Sequence, residues 1–282
     1  MDARKIEENV FKIFMIVSLG IVLMSLAIII GVVVIKGLKF ISLEMLTQTS
    51  TGGFYIGRSG GILNAIIGSL YLVAGGTAIA FPVSIGVAIF LQKDFASVRV
   101  ATFFRTILDI LWGVPSIVYG VFIYIIMIYI GWGPSLIGGI FALSLVELPI
   151  MVRGMDEVLR TVPQTLKESS YALGSTKIET AWKVLRKQAM PGIVSAVFLA
   201  FGRGIGDAAS ILYTSGFSDY IPTSPFDSTA ALPTMVYFLA TSPSEEVRGK
   251  AYAAAFVLIL MILFASLISR YLSKKFSKMV VT

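Results

Sequence analysis

Two residues of opposite charge stand close together inside an apolar run of the sequence. Arg203 and Asp207 are four residues apart within the stretch 191–213, and an ionised group at the centre of a bilayer costs about 2.5–3.5 kcal/mol. On a helix they would lie one turn apart and could form an ion pair. Two roles are open: a salt bridge that orients the helix, or a guanidinium that contacts a passing oxyanion while Asp207 keeps that contact weak.

The residue types that the sequence lacks exclude several kinds of catalytic and metal site. The chain contains no Cys and no His, which argues against thiol nucleophiles, His-based acid–base catalysis and the usual zinc or haem sites. It has no phosphate-cradling P-loop pattern, so we expect no cofactor in this chain and no ATP bound by it. The acidic residues Glu147 and Asp109 also stand in apolar runs, and we interpret both as buried or interfacial polar residues rather than ion sites.

The composition predicts that lipid surrounds most of the chain. Of the 282 residues, 56% are hydrophobic and 14% are charged, with a mean hydropathy of +0.88, whereas soluble domains are about 25% charged. Six runs reach the roughly 20 residues that a helix needs to cross a bilayer core of about 30 Å. We therefore predict an all-α membrane protein with a single domain, 1–282, and spans at about 13–35, 62–91, 107–130, 134–152, 191–213 and 251–268.

The basic residues predict how the spans are oriented. If the N-terminus is cytoplasmic, 17 of the 23 Lys and Arg residues lie in cytoplasmic segments, as the positive-inside rule requires. We therefore expect both termini on the cytoplasmic side of a multi-pass protein in the cell membrane. The net charge of +7 then reflects topology, and we expect no nucleic-acid partner.

The two long connections between spans differ in character. The predicted cytoplasmic connection, 153–190, is the most charged part of the chain, whereas the external connection, 215–249, is rich in Ser, Thr and Pro. The external one also contains a short apolar run, 230–240, which is too short to span a membrane. We expect that run to form an interfacial or re-entrant helix.

The cytoplasmic connection carries signals for two short helices. Thr161-Val-Pro-Gln164 and Thr176-Lys-Ile-Glu179 both have the form of a capping box, and Gly174 suits the left-handed position that follows a helix. The helices would meet at Gly174 in an elbow that projects from the membrane. The elbow mixes apolar Ile178 and Trp182 with basic residues, so it is either a connector resting on lipid headgroups or a docking surface for a partner protein.

A family resemblance favours the docking surface. Glu168-Ser-Ser-Tyr-Ala-Leu-Gly174, followed after sixteen residues by Pro191-Gly192, resembles the EAA loop of ABC importer permeases, with Ser169 and Ser170 in place of two alanines. Within that family the chain resembles the phosphate-specific (PstA-type) permease subunits from about residue 63 into the last span. The resemblance rests on Gly113-Val-Pro-Ser-Ile-Val-Tyr-Gly120, Leu148-Pro-Ile-Met-Val-Arg153, Leu159-Arg-Thr-Val-Pro163 and Tyr171-Ala-Leu-Gly174.

The resemblance implies a fold, partners and site residues. The fold would be the six-helix bundle of a type I ABC importer permease, which forms half of a translocation pore with a homologous second permease. Two ATPase subunits, which bind ATP and Mg²⁺, would contact the cytoplasmic loop, and an external phosphate-binding protein would dock on 215–249. The residues coupled to the ATPase would be Glu168, Ser169, Ser170, Gly174, Ile178 and Trp182, and the substrate pathway would include Arg203 and Asp207.

One departure from the family pattern leaves the substrate open. Where the family reads Ala-Arg-x-x-Gly-Glu-Thr-Ala-Pro, this chain reads Gly202-Arg-Gly-Ile-Gly-Asp-Ala-Ala-Ser210. Phosphate and another oxyanion are therefore both candidate substrates. A gradient-driven transporter or channel that uses Glu147, Asp109 or Asp207 is the other alternative, although such a carrier would not need a structured elbow. A membrane enzyme is disfavoured because the chain lacks His, Cys and a paired-carboxylate motif.

Overall fold

The computed structural model describes residues 3–50 and 60–277, with side chains from residue 7 onward. Arg58 and Lys278, two of the basic residues counted in the orientation argument, lie outside the described residues, as do the side chains of Arg4 and Lys5. The described part of the chain is helical, with turns and irregular segments between the helices.

The predicted spans correspond to four long helices and two bent pairs. The long helices are α1 (Ala3–Leu38), α3 (Leu63–Phe90), α6 (Leu136–Arg160) and α12 (Glu245–Ser277). The bent pairs are α4 (Val98–Gly113) with α5 (Ser116–Tyr129), and the helical run Lys177–Gln188 with α10 (Met190–Ile205). Each long helix is apolar and long enough to cross a membrane, and the count rises to six if each bent pair is one span. This confirms the all-α membrane fold.

The third predicted span, 107–130, is divided by a sharp corner. α4 and α5 meet at an angle of 93°, with Val114 in extended conformation and Pro115 between the two helices. Proline has no backbone N–H for a helical hydrogen bond, and it disfavours helical geometry in the residue before it. α4 also begins earlier than predicted because the Ser97 hydroxyl caps it, accepting a hydrogen bond from the Val100 N–H at 3.4 Å.

The predicted ends of the fourth and fifth spans differ from the observed ends of α6 and α10. α6 continues to Arg160, so the residues from 153 to 160 are helical rather than part of a loop. α10 ends at Ile205, followed by Gly206 and a series of turns to Ser215, so the fifth span is shorter than 191–213. Glycine at 206 weakens the helix there.

The core of the bundle forms around α3 and α6, with α10 packed against both. Gly75 and Gly76 lie where α6 comes close to α3: a β-carbon added at Gly76 would lie 3.1 Å from the Leu143 β-carbon. α3 is continuous across Pro82.

α12 packs against α1, α10 and the short helix α11 (Leu232–Ala240). The outer faces of α1 expose apolar side chains such as Phe14 and Met15, as expected for a helix in lipid.

The short apolar run in the external connection folds into the protein. α11 buries Leu232, Met235 and Leu239 completely or nearly so, in a cluster that includes Ala251 and Ala254 of α12. The connection also reaches the start of α6, where the N–H groups of Leu136 and Ile137 donate hydrogen bonds to the carbonyl oxygens of Asp227 and Pro225, both at 2.8 Å. A short helix is thus confirmed, and it lies in the protein core.

The predicted elbow is present, with one of its two capping boxes. It consists of α7 (Gln164–Ala172) and the run Lys177–Gln188, which comprises α8 (Lys177–Glu179), the π-helical segment Thr180–Leu185 and α9 (Arg186–Gln188). Gly174 has φ +82°, the left-handed conformation expected of it. The Thr176 box is confirmed: the Glu179 N–H donates to Thr176 Oγ1 at 3.3 Å, and the Thr176 N–H donates to Glu179 Oε2 at 3.0 Å.

The Thr161 capping box is wrong, because this hydroxyl serves the preceding helix. Thr161 Oγ1 donates to the Val158 carbonyl oxygen at 2.8 Å, at the end of α6, and α7 begins after Pro163 without a side-chain cap. The elbow also projects less freely than expected. Ala181 and Leu185 are buried in the cluster formed by α3, α6 and α10, so the inner face of the elbow belongs to the core of the bundle.

Candidate functional site

Arg203 and Asp207 do not form the predicted ion pair. Arg203 lies in the last turn of α10 and is exposed, whereas Asp207 follows the end of that helix and is 8% exposed. Because α10 ends at Ile205, the two side chains do not share a helix face. Within residues 3–50 and 60–277 no ion pair joins them; instead, Asp207 Oδ1 accepts a hydrogen bond from Ser116 Oγ at 2.8 Å. Of the two roles left open for these residues, the structure therefore does not show the salt bridge.

Arg203 lines a cavity at the corner between α4 and α5. The cavity has a volume of about 380 Å³. Its walls are the corner itself, the middle of α6 and the last turns of α10, and its lining is Leu111, Trp112, Val114, Ser116, Tyr119, Val146, Pro149, Ile150, Leu199 and Arg203. The Tyr119 hydroxyl donates to the Leu111 carbonyl oxygen at 2.7 Å across the corner. Arg203 also borders a second cavity, of about 470 Å³, between α10 and α12.

The lining of the first cavity is mostly apolar, with Arg203 as its one charged residue. The two hydroxyls of the lining already have acceptors: Ser116 donates to Asp207 and Tyr119 to the Leu111 carbonyl oxygen. A guanidinium presents five N–H donors in a planar fork that matches an oxyanion. The lining contains no Cys, His or carboxylate, the groups that nucleophilic or general base catalysis normally uses.

Buried polar atoms without partners lie close to this cavity. Asp207 Oδ2, Ser210 Oγ and Glu147 Oε1 find no hydrogen-bond partner in the described part of the chain. Glu147 lies on α6 and is fully buried, as expected; its Oε2 accepts a hydrogen bond from Thr77 Oγ1 at 2.7 Å. Gly204 leaves room for this carboxyl, because a β-carbon there would overlap Glu147 Oε1.

The residues predicted to couple to an ATPase lie on the elbow but not on one surface. Glu168 and Ser169 are exposed on α7, whereas Ser170 is buried, with its hydroxyl 2.9 Å from that of Thr180. Ile178 and Trp182 are exposed on the second arm, 64% and 43% respectively. Ser170 therefore holds the two arms together, while the other predicted residues face outward around the Gly174 turn.

One exposed residue of the elbow escaped the sequence prediction. Leu173, next to the Gly174 turn, is 87% exposed and extends the apolar surface of Ile178 and Trp182. The Arg186 guanidinium lies 4.6 Å from the centre of the Trp182 ring, close enough for a cation–π interaction. An exposed apolar surface with Trp and Arg is typical of protein interfaces.

A buried acid that the sequence did not single out ties α4 to α6. Asp156 of α6 is fully buried. Its carboxylate accepts hydrogen bonds from Arg105 Nε at 2.7 Å, Arg105 Nη2 at 2.9 Å and Gln92 Nε2 at 3.0 Å. Arg153 pairs with Asp109 at 2.8 Å, so Asp109 is a half-exposed partner of an ion pair. No local pattern predicts these pairs, because their members lie 44 to 64 residues apart.

A second such cluster ties the elbow to the turn between α3 and α4. Asp94 accepts hydrogen bonds from Lys167 Nζ and from the Tyr171 hydroxyl, both at 3.0 Å. Partial burial raises the pKa of the Asp94 carboxyl, but the hydrogen bonds from Lys167 and Tyr171 and the charge of Lys167 together hold that pKa below its ordinary value. Asp94 is thus an ionised anchor for α7.

Comparison with known proteins identifies the family. The family model described as "Binding-protein-dependent transport system inner membrane component" matches residues 80–278, which is more than half of the chain. The chain belongs to this family. The matched residues include all those that line the cavity and the whole elbow.

The relatives include phosphate permeases. The phosphate transport system permease protein PstA of Mycobacterium leprae is 34% identical over 264 residues, covering 92% of this chain and 86% of the relative. PstA of Haemophilus influenzae is 31% identical over 240 residues, covering 83% and 82%. The probable ABC transporter permease protein YqgI of Bacillus subtilis is 34% identical over 205 residues, covering 71% and 69%.

A solved structure shares the fold. A chain of the MetNI methionine ABC transporter, solved in inward-facing conformations, matches with a TM-score of 0.63 and 17% identity, over 76% of this chain and 95% of that chain. The protein is therefore a multi-pass inner-membrane permease component of a binding-protein-dependent ABC importer, the membrane component rather than the catalytic one. A system of this kind implies an ATPase and a binding protein as partners.

Proposed function

We propose that this permease carries inorganic phosphate across the membrane, as one half of a pore completed by a homologous second permease. The observation that carries the proposal is the cavity at the α4–α5 corner, where Arg203 is exposed, lacks an ion pair among the described residues and is the one charged residue of the lining. The PstA relatives, at 31% and 34% identity, support phosphate as the anion.

Asp207 lies close to the cavity without pairing with Arg203. Its carboxyl group is buried and accepts a hydrogen bond from the Ser116 hydroxyl, so it lies behind the corner of the cavity and leaves Arg203 free to contact an anion. Transport requires release as well as binding, and a single exposed guanidinium suits such a transient contact.

The energy for transport would enter at the elbow. In this proposal both termini are cytoplasmic, and two ATPase subunits, each with ATP and Mg²⁺, contact the surface formed by Glu168, Ser169, Leu173, Ile178 and Trp182. The elbow continues into α10 at an angle of 74°, so a displacement of the elbow moves the helix that carries Arg203. An external phosphate-binding protein would deliver the anion at the folded connection 215–249.

The test is reconstitution of the whole transporter in vesicles with its ATPase, second permease and binding protein. We expect phosphate to stimulate both ATP hydrolysis and uptake, and sulfate to stimulate neither. Stimulation by sulfate and not by phosphate would assign the permease to another oxyanion. Uptake that persists without ATP and collapses with the ion gradient would overturn the ATP-driven mechanism itself.

A further inference from the structure

The elbow is connected to the walls of the Arg203 cavity by two kinds of route. The first follows the chain at both ends of the elbow: residues 161–163 join α6 to α7, and Ala189 joins the run Lys177–Gln188 to α10. The second does not follow the chain: it leaves the elbow from α7, crosses side-chain contacts to the turn between α3 and α4, and ends at the α4–α5 corner. The proposed function uses only the first route.

The second route begins at Asp94. Lys167 and Tyr171, which hold the Asp94 carboxylate at 3.0 Å each, are four residues apart on α7 and therefore project from the same face. The Lys167 side chain is 7% exposed and that of Asp94 is 16% exposed. Two hydrogen bonds to one carboxylate, largely shielded from water, fix the orientation of α7 as well as its distance from the turn.

The turn that carries Asp94 is itself fastened to α4 and α6. Arg105 of α4 donates from Nη2 to the Leu91 carbonyl oxygen at 3.0 Å, and Gln92 donates to the fully buried Asp156 of α6 at 3.0 Å. Arg105 also donates twice to Asp156. Residues 91–94 are thus held at both ends of a four-residue segment, and a force applied at Asp94 reaches Arg105 without passing through a flexible loop.

α4 carries the displacement to the cavity. Arg105 and the cavity residue Trp112 lie on the same continuous helix, which ends at the 93° corner. Ser116, the first residue of α5, lines the cavity opposite α10. The elbow therefore connects to Arg203 through α10 and to Ser116 through Asp94 and α4, which are two different walls of one cavity.

We infer that Asp94 is a coupling residue: by tying α7 to the 91–97 turn, it makes movement of the elbow displace the α4–α5 corner together with α10. This inference rests on the proposed function in one respect, that the ATPase acts on the elbow. Asp94 is a positioning residue, since it touches neither the anion nor ATP. Without it, the elbow would still be joined to α6 and α10 by the chain and by its buried inner face, but its movement would displace the α4–α5 corner less, and the cavity would open incompletely.

The test compares Asp94→Asn with a matched control in the complete transporter in vesicles. Glu8→Gln is the control, because Glu8 of α1 is also a carboxylate, but it is exposed, lies outside the elbow and has no ion pair among the described residues. For Asp94→Asn we expect uptake per ATP hydrolysed to fall about tenfold, a size typical of changes in coupling networks, with ATPase activity retained. We expect Glu8→Gln to match the unmodified transporter. An unchanged ratio in Asp94→Asn, or an equal loss in both variants, would overturn the inference.

A cross-link gives a second test that does not depend on the fold tolerating Asp94→Asn. The chain contains no cysteine, so the pair Asp94→Cys and Tyr171→Cys reacts with a short bifunctional thiosulfonate without interference from other thiols of this chain. We expect the unlinked pair to be uncoupled, the link to restore uptake per ATP, and reduction to abolish it again. The control is a link between Trp112→Cys and Leu199→Cys, on different walls of the cavity, which should block uptake. Such a block would show that the assay detects hindered motion. Lower uptake in the linked Asp94–Tyr171 pair than in the unlinked pair would contradict the inference.

Failure of the inference and failure of the proposed function give different results. If the ATPase subunit does not co-purify with the unmodified permease, the proposed role of the elbow is wrong. If it co-purifies with both the unmodified permease and Asp94→Asn, and uptake per ATP is the same, only the role of Asp94 is wrong.

Discussion

The charged residues that join helices to one another and those near the Arg203 cavity are arranged in opposite ways. Asp94, which joins the elbow to the turn before α4, and Asp156 and Asp109, which join α4 to α6, each have a cationic partner within 3.0 Å. Near the cavity, Arg203 has no ion pair within the described residues, and one carboxyl oxygen of Asp207 lacks a hydrogen-bond partner there. Paired charges hold helices in place, whereas unpaired ones are available to a ligand or to a different conformation.

This difference predicts different outcomes for mutations. Removing one partner of a buried pair leaves an uncompensated charge and destabilises a protein by about 3–5 kcal/mol. Removing a charge that has no partner costs little stability and affects only what that charge binds. The predictions below follow this distinction, from the largest expected effect to the smallest.

Asp156→Ala should destabilise the permease by about 3 kcal/mol, because Arg105 and Gln92 lose their shared acceptor in the core. The measurement is thermal unfolding of the purified protein in detergent. Asp109→Ala is the matched control: it removes an ion pair of similar length whose aspartate is half exposed, and we expect about 1 kcal/mol or less. Equal losses of unfolding free energy in the two variants would mean that burial does not determine how much each ion pair stabilises the protein.

Gly204→Ala should destabilise the protein by about 1–3 kcal/mol, the usual cost of overpacking, because the added methyl group overlaps the Glu147 carboxyl. Gly202→Ala, on the same helix, has open space around the added β-carbon and should be neutral or slightly stabilising. Adding Glu147→Ala to Gly204→Ala should recover most of the loss. A Gly204→Ala protein as stable as Gly202→Ala would show that Glu147 moves away easily.

Gly174→Val should leave the protein inserted but disturb the elbow, with a strain of about 1–2 kcal/mol from the left-handed backbone, φ +82°. No atom lies within 4 Å of an added β-carbon, so the effect comes from the backbone alone. We expect ATP hydrolysis to continue with reduced uptake in reconstituted vesicles. Gly133→Val, where space is also open and φ is not positive, is the control, and unchanged uptake in Gly174→Val would count against the role of the turn.

Local sequence patterns predicted those helices and turns whose positions depend on residues close together in the sequence. Apolar runs predicted the positions of the long helices, and the Thr176 box and Gly174 predicted the elbow. The α4–α5 corner also has a local signal, because Pro115 interrupts the helix within an apolar run. By contrast, the Thr161 box failed because a hydroxyl at the junction of two helices can serve either one. The helix-capping pattern does not tell which of the two helices receives the hydrogen bond of the hydroxyl.

The site depended on contacts that sequence spacing does not reveal. The pairing of Arg203 with Asp207 assumed a helix that continued past Gly206, and its early end placed the two residues in different environments. The residues that donate hydrogen bonds to Asp94 and Asp156 lie more than 40 residues away, so only the packing of α3, α4, α6 and the elbow identifies them. The family resemblance supplied the transport role of the chain, whereas the structure showed how the elbow is attached to the bundle.

The most direct test of the central claim is uptake of phosphate and hydrolysis of ATP measured together in three reconstituted transporters: unmodified, Arg203→Ala and Asp94→Asn. We predict that Arg203→Ala assembles normally but loses phosphate uptake, with partial recovery in Arg203→Lys, and that Asp94→Asn retains ATP hydrolysis with little uptake. If Arg203→Ala transports phosphate at the unmodified rate, the cavity is not the anion pathway. If Arg203→Ala instead fails to assemble, Arg203 supports the structure and not the anion.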